Sequence, residues 1–170
     1  MKLRLSTVQD VPEIMTIIEK ARAFLKASGV DQWQTGYPDE ALIRGDIAAG
    51  IGYVLVDGET IAATLSIDCS GEPAYDAIEE GAWLSTNLPY GVVHRMAVSP
   101  AHRGKGVSKI VIAQVEVLLA KKSMGSFKID THRDNPVMNH LLTGCGFSYC
   151  GIVYFEGAQR LAYEKLLTKD

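Results

Sequence analysis

One stretch limits the folds open to this chain more than any other. Val92-Val93-His94-Arg95-Met96-Ala97-Val98 runs into Ser99-Pro100, then Ala101-His102-Arg103-Gly104-Lys105-Gly106, then Val107-Ser108-Lys109. The first part reads as a strand and the last opens a helix, with Val107, Val111, Val115 and Leu118 on one stripe. Gly104 and Gly106 let the backbone curl between the two without Cβ clashes. A strand that passes through a tight turn straight into a helix points to an α/β domain.

The rest of the chain alternates the same two periods. Lys2–Leu5 reads as a strand, and Asp10-Val11-Pro12 opens a helix with Ile14, Ile17, Ile18, Ala21 and Leu25 on one face, ended by Gly29. After a loop carrying Trp33 and Tyr37, Asp39 is placed to cap a second helix bearing Leu42, Ile43 and Ile47. Tyr53–Val56 and Thr60–Ile67 flank Asp57-Gly58, a pair suited to a type I′ hairpin. Ser70–Tyr90 is the least regular part, with a short helix expected around Tyr75–Trp83. Gly91–Val98 is a strand, Val107–Lys122 a helix, Phe127–Thr131 a strand, and Pro136–Thr143 a short helix closed by Gly144. Phe147–Phe155 and Arg160–Leu167 form a last hairpin turning at Glu156-Gly157. Hairpins mixed with helical crossovers predict an α/β (α+β) fold with a mixed, largely antiparallel central sheet and flanking helices. With 170 residues and neither repeats nor linkers, residues 1–170 are expected to form a single domain.

At 47% hydrophobic the chain is too apolar to be disordered, and no run reaches the roughly 18–20 apolar residues of a membrane span. Met1–Ser6 alternates apolar and charged residues, unlike a signal segment, so a cytoplasmic location away from membranes is expected. The net charge of -3 argues against a general nucleic-acid binder, but it hides a skew. Gly45–His94 holds eight acids and no Lys or Arg, whereas Arg95–Arg133 holds eight bases and two acids. Such an asymmetry asks for a ligand or a fold reason.

Cys69, Cys145 and Cys150 include no CxxC pair and read as reduced thiols; His94, His102, His132 and His140 match no metal-ligand spacing. No metal is expected. The glycine turn is different. Successive N–H groups there can point at one spot, at a helix N-terminus whose unpaired donors and dipole favour an anion. Arg103, Lys105 and Lys109 surround that spot with positive charge, which suits phosphate and above all pyrophosphate. Neither a Walker loop nor a dinucleotide fingerprint fits: no glycine precedes Gly104-Lys105 at Walker spacing, and Lys109 stands where a third glycine would be.

Arg103-Gly104-Lys105-Gly106-Val107-Ser108, following Met96-Ala97-Val98-Ser99-Pro100, resembles the Arg/Gln-x-x-Gly-x-Gly/Ala pyrophosphate loop of the GNAT N-acetyltransferases, with Ser108 in place of the last small residue. Asn135-Pro136-Val137-Met138-Asn139-His140-Leu141-Leu142-Thr143-Gly144-Cys145-Gly146-Phe147 is similar to that family's Asn-x-x-Ala-x-x-Leu-Tyr-x-x-x-Gly-Phe segment. The order of elements agrees over nearly the whole chain.

The resemblance implies two central strands that splay apart, Gly91–Val98 and Phe127–Thr131, with acetyl-CoA as acetyl donor between them. Backbone groups of Met96, Ala97 and Val98 would pair with pantetheine, Arg103–Ser108 would hold the pyrophosphate, and Asn135 would bond the pantetheine arm. The Val98 N–H is the implied oxyanion donor. For the general base it points to His94 and to Asp130, five residues before Asn135. The family's frequent general acid, a Tyr, is replaced by Leu142, which leaves Tyr149, Tyr154, water or no dedicated acid. The acceptor would be a small-molecule or peptide amine, with a homodimer admitted as the assembly. The acidic residues Glu72, Asp76, Glu79 and Glu80 suit a cationic acceptor such as a polyamine, or simply a solvated face. Two rival readings remain: a CoA-binding sensor without catalysis, suggested by the missing Tyr, and a nucleotide-binding protein that uses the same glycine loop.

Overall fold

The structure, a computed structural model, describes residues 1–155 and 157–167. These hold seven strands and four α-helices, and the strands form a mostly antiparallel sheet, as the mixed periodicity predicts. The chain divides into two compact units, Met1–Ile67 with Arg95–Val111 and Asp68–His94 with Ile112–Asp170.

In the first unit β1 (Lys2–Leu5), β2 (Gly52–Asp57) and β3 (Thr60–Asp68) pair antiparallel in that order. Between β1 and β2 the chain forms α1 (Val11–Ala27) and α2 (Glu40–Ala48). Pro12 sits in the first turn of α1, where a missing N–H costs nothing. Arg4 grips Asp10 just ahead of it with two bonds of 2.8 Å. The α1 face formed by Val11, Ile14, Ile17 and Ile18 is buried with Ile43, Val54, Ile61 and Ala97, the core of this unit. Asp39 caps α2 as expected, accepting from the Leu42 amide at 2.8 Å.

The β2–β3 hairpin departs from expectation. Asp57 pairs with Thr60, so the turn residues are Gly58 and Glu59 rather than Asp57 and Gly58. Only Gly58 has positive φ (61°), the φ pattern of a type II′ turn. A register shift at Leu55/Val56 accommodates the change, and the Glu13 carboxylate accepts from the Ile61 amide beside it at 2.9 Å.

In the second unit the start of β4 (Tyr90–Val98) runs parallel to β5 (Ser126–His132). Their pairing runs from Tyr90↔Ser126 to Val92↔Lys128, and β5 continues to His132. Along its whole length β5 pairs antiparallel with β7 (Ala158–Leu166), which pairs in turn with β6 (Ser148–Phe155). α3 (Val107–Lys121) follows β4, and Leu119, not Leu118, continues its buried row Val107, Val111, Val115. The Leu119 side chain lies so close to Gly91 that a Cβ there would come within 2.2 Å of it. α4 (Pro136–Gly144) runs through Gly144, and it is Gly146, with φ 84°, that turns the chain away. The expected turn at Glu156-Gly157 lies partly outside the described residues, since Glu156 is not among them.

No helix forms over Tyr75–Trp83. A single 3-10 turn covers Pro73–Asp76, after which Glu79 makes a two-bond bridge to Ile152 and Trp83 Nε1 donates to the Tyr75 carbonyl at 2.8 Å. These longer-range bonds satisfy the backbone that a helix would otherwise have to satisfy.

Candidate active site

β4 does not keep strict alternation. Arg95 has φ 57°, left-handed backbone in mid-strand, so the regular alternation of a strand is broken at that residue. The strained residue is held by its own side chain. Arg95 donates to both Asp46 oxygens (2.9 and 3.0 Å), to Ser66 Oγ at 2.8 Å and to the Tyr37 hydroxyl at 3.0 Å. Tyr37, from the loop that also carries Trp33, is thereby tied to β4, while Trp33 packs against the α1 core.

Past β4, in the first unit, Gly104 and Gly106 have φ 74° and 73°, and a Cβ built on either meets nothing within 4 Å. Left-handed residues on either side of Lys105 fold the backbone into a concave turn. Among the described residues, the amides of Gly104, Lys105, Gly106, Val107 and Ser108 donate to no backbone carbonyl; the first bonded amide of the helix is Lys109, to Gly106 O at 3.1 Å. Lys105 and Lys109 are exposed beside this cradle. Arg103 turns the other way: its guanidinium lies over the Phe24 ring at 4.7 Å and donates to the Lys20 carbonyl.

The second unit gathers the titratable candidates around Phe155. His94 Nε2 stands 3.3 Å from Glu72 Oε2, and its ring meets Phe155 edge-on at 6.3 Å. The buried Tyr75 also meets Phe155 edge-on and donates from its hydroxyl to Asp130 Oδ1 at 2.7 Å. Arg160 Nε lies 3.9 Å from Asp130 Oδ2. Burial pushes the Asp130 carboxyl up to about 6, against the opposing pull of the Tyr75 hydrogen bond and Arg160. Burial and the neighbouring Asp130 raise the Tyr75 hydroxyl well above its ordinary range, so it stays a donor. Burial alone would raise Asp68 as well, but the Ser70 amide and hydroxyl and the His94 charge outweigh it and hold Asp68 low.

Two expectations change here. Glu72 belongs to no unpaired acidic cluster: it turns onto His94. Asn135 caps α4, its Oδ1 accepting from the Met138 amide at 3.1 Å, so one acceptor position already serves the helix. Lys128, on the same face of β5 as Asp130, is buried with its ammonium 4.3 Å from the Trp83 ring and 4.1 Å from that of Tyr90; burial lowers its pKa. Tyr149 and Tyr154 remain largely exposed. Sequence reasoning missed Tyr75, Arg95 and Glu164 altogether, because their partners are remote in the chain.

The family model for acetyltransferases of the GNAT type matches residues 18–147. This chain belongs to the GNAT acetyltransferase family. The GNAT acetyltransferase of Streptococcus agalactiae is similar to it at 36% identity over 99% of this chain and 96% of that one, with a TM-score of 0.91. The GNAT acetyltransferase of Listeria monocytogenes shares the fold at 24% identity, TM-score 0.76, over 98% and 94%. The PaiA N-acetyltransferase of Thermoplasma acidophilum, solved in complex with coenzyme A, shares it at 12% identity, TM-score 0.72, over 97% and 98%. No curated protein matches this chain. GNAT proteins are acyltransferases that use acetyl-CoA, and the open cradle of unpaired amides at Gly104–Ser108 fits the diphosphate of that donor. In this GNAT protein the described residues include no group of three or more His, Cys, Asp or Glu that could hold a metal, and no helix long and apolar enough to cross a membrane. Leu142 is fully buried.

Proposed function

We propose that this GNAT protein is an N-acetyltransferase that moves the acetyl group of acetyl-CoA to a primary amine in the cytoplasm. The observation that carries the reading is the Gly104–Ser108 cradle, where adjacent amides without backbone partners meet two left-handed glycines at a helix start. In this reading Gly104, Lys105, Gly106, Val107 and Ser108 hold the diphosphate, and the expected part of Arg103 is dropped because its side chain is turned onto Phe24 and the Lys20 carbonyl. Backbone groups of Met96, Ala97 and Val98 line up the pantetheine. Acetyl-CoA supplies an activated acyl group on a thiol that leaves readily. The protein's own part is orientation and proton removal. His94 takes a proton from the incoming ammonium, and Asp130, with its carboxyl raised to about 6, is the second group able to exchange a proton near neutral pH. Glu72, Asp68 and Asp130 favour a cationic acceptor over an anionic one.

A second reading, a CoA-binding module without turnover, is favoured by the buried Leu142 in place of a Tyr general acid. Release of free thiol from acetyl-CoA, measured against a panel of amines, polyamines and peptides, separates the two. Turnover with at least one amine supports the transferase; tight CoA binding without turnover supports the module. Thermal stabilisation by ATP or NAD but not by CoA would remove both readings. His94→Ala and Asp130→Ala are expected to lower kcat by about a hundredfold while CoA affinity stays unchanged.

A further inference from the structure

Tyr75 is immobilised before it reaches Asp130. It is 2% exposed, and its ring lies 4.9 Å from that of Trp83 and 6.3 Å from that of Tyr90. Phe155 meets it nearly at right angles at 6.2 Å. Its amide donates to the Glu72 carbonyl at 2.9 Å, and its carbonyl accepts from Trp83 Nε1 at 2.8 Å. A phenol packed among three rings and tied by two backbone bonds keeps one easy motion, rotation of the hydroxyl hydrogen. The 2.7 Å bond to Asp130 Oδ1 fixes that as well.

The two oxygens of Asp130 are therefore unlike. Oδ1 accepts from Tyr75, whereas Oδ2 accepts from no other residue among those described; Arg160 Nε, from β7, stays 3.9 Å away. Arg160 spends another donor on the Gln159 carbonyl at 3.2 Å. Glu72, ahead of the 3-10 turn, acts on the carboxyl through its charge, and the carboxyl's own amide adds a weak pull. On β5 itself the Lys128 ammonium lies over Trp83 and Tyr90, and His132 Nδ1 accepts from the Asp134 amide at 3.2 Å. His94, from β4, and Tyr75 meet the same Phe155 ring of β6. Among the described residues, Tyr75 is thus the one side chain that hydrogen-bonds the Asp130 carboxyl.

We propose that Tyr75 is a positioning residue for Asp130: by donating to Oδ1 it fixes the plane of the carboxylate and leaves Oδ2 as the oxygen that takes a proton from the acceptor ammonium. The inference rests on the reading of Asp130 as a group that exchanges a proton with the acceptor. The balance is simple. An N–H bond of the ammonium breaks, its electron pair stays on nitrogen for the attack, an O–H bond forms at Oδ2, and the proton then leaves to solvent. The phenol keeps its own proton throughout, because burial and the Asp130 charge hold it well above its ordinary range. Its bond also stabilises the carboxylate, against the burial that lifts Asp130 to about 6. Loss of the hydroxyl therefore has two separable effects: a carboxyl that rises further, and a carboxylate that is no longer held in one plane.

The full-length protein tests both. Carboxyl 13C shifts, recorded without substrate and assigned with Asp130→Asn, give the Asp130 midpoint in wild type and in Tyr75→Phe. Tyr75→Phe keeps the ring and its packing, and its Asp130 midpoint is expected about one pH unit higher. The acid limb of kcat/KM should move up by the same amount. Above about pH 9, where Asp130 is ionised in both proteins, kcat of the variant should still be about tenfold lower, with KM for acetyl-CoA within about twofold of wild type. 3-Fluorotyrosine in place of Tyr75 donates more strongly and is expected to move the midpoint down, which keeps the test open if Tyr75→Phe folds poorly. An unmoved midpoint in both variants removes Tyr75 alone, as does a moved midpoint with wild-type kcat above about pH 9. A midpoint that moves while the acid limb stays in place removes Asp130 as proton acceptor, and the role of Tyr75 with it. If wild type turns over no amine at all, the transferase reading fails and this proposal falls too.

Discussion

The Tyr75 hydroxyl donates to Asp130 Oδ1 at 2.7 Å, joining a 3-10 turn through its one buried side chain to the strand that carries a candidate proton acceptor. The bond stabilises the charged carboxylate, but burial dominates and lifts Asp130 from 3.8 to about 6. Over that interval the native protein therefore binds more protons than the unfolded chain. The stability linked to this group is complete below about pH 4 and is lost as pH rises through about 6. Relative to Asp130→Asn, wild type should lose most of about 3 kcal/mol between pH 4 and pH 7 in urea unfolding. Parallel pH curves for the two proteins would contradict the assignment of burial as the cause.

The cradle makes a sharper demand on backbone than on charge. Gly106→Ala places a Cβ in left-handed backbone, at a cost of about 1–2 kcal/mol, and the loop is expected to relax away from convergent amides. CoA affinity, measured by calorimetry, should then weaken by about tenfold or more with little change in fold. Lys105→Ala and Lys109→Ala should each weaken binding by only about threefold, an effect that fades in high salt. Equal losses for glycine and lysine variants would mean that charge, not amide geometry, holds the ligand.

Glu164 is fully buried on β7 and accepts from the Ser85 and Ser126 hydroxyls and from the Leu84 and Ser85 amides. It anchors the irregular segment before β4 to the sheet of the second unit. Ser126→Ala is expected to cost about 1–3 kcal/mol by removing one donor from a buried charge. Glu164→Gln should cost about 1–3 kcal/mol, because one oxygen that accepts from two hydroxyls becomes an NH2 and the hydroxyls must turn to accept from it. Chemical denaturation measures both, and limited proteolysis should show Leu84–Leu88 cut sooner in Glu164→Gln. Resistance equal to wild type would deny the anchoring role.

Gly91 and Leu119 share one volume. Gly91→Ala overpacks the contact and should cost about 1–3 kcal/mol, and Leu119→Ala leaves a cavity costing about 2–5 kcal/mol. The double variant should be more stable than the sum of the two losses predicts, since each change relieves the other. Strict additivity in urea unfolding would show that the two sites do not couple.

Arg95 and Asp46 form a mostly buried ion pair, 11% and 8% exposed. Asp46→Ala should cost about 3–5 kcal/mol by leaving the guanidinium without its anion. Because Arg95 also bonds Tyr37, the variant should loosen the Trp33–Tyr37 loop, read as faster amide exchange there. Exchange at the wild-type rate would separate the loop from the ion pair.

Most of the elements, and the cradle, were legible in the chain because their causes are local. Apolar spacing sets the helix and strand periods, Pro12 and Asp39 mark helix starts, and Gly104 and Gly106 supply left-handed backbone within a few residues of the helix they open. Where local signals misled, a distant partner had intervened. The expected helix over Tyr75–Trp83 gave way to a bridge with Ile152, and the β2–β3 turn moved by one residue alongside a register shift.

The amino-acid order by itself determined the alternation of strands and helices and a glycine turn at a helix start, since φ preferences and hydrophobic period act between near neighbours. Only the tertiary structure decided which polar groups meet. Tyr75 reaches Asp130 across 55 positions, Arg95 reaches Asp46 across 49, Ser85 reaches Glu164 across 79, and Glu72 finds His94 from a loop with no regular period. Hydrogen bonds and ion pairs act over a few ångströms of space and leave no periodic trace along the chain, so these partnerships became visible only once folding had brought the side chains together.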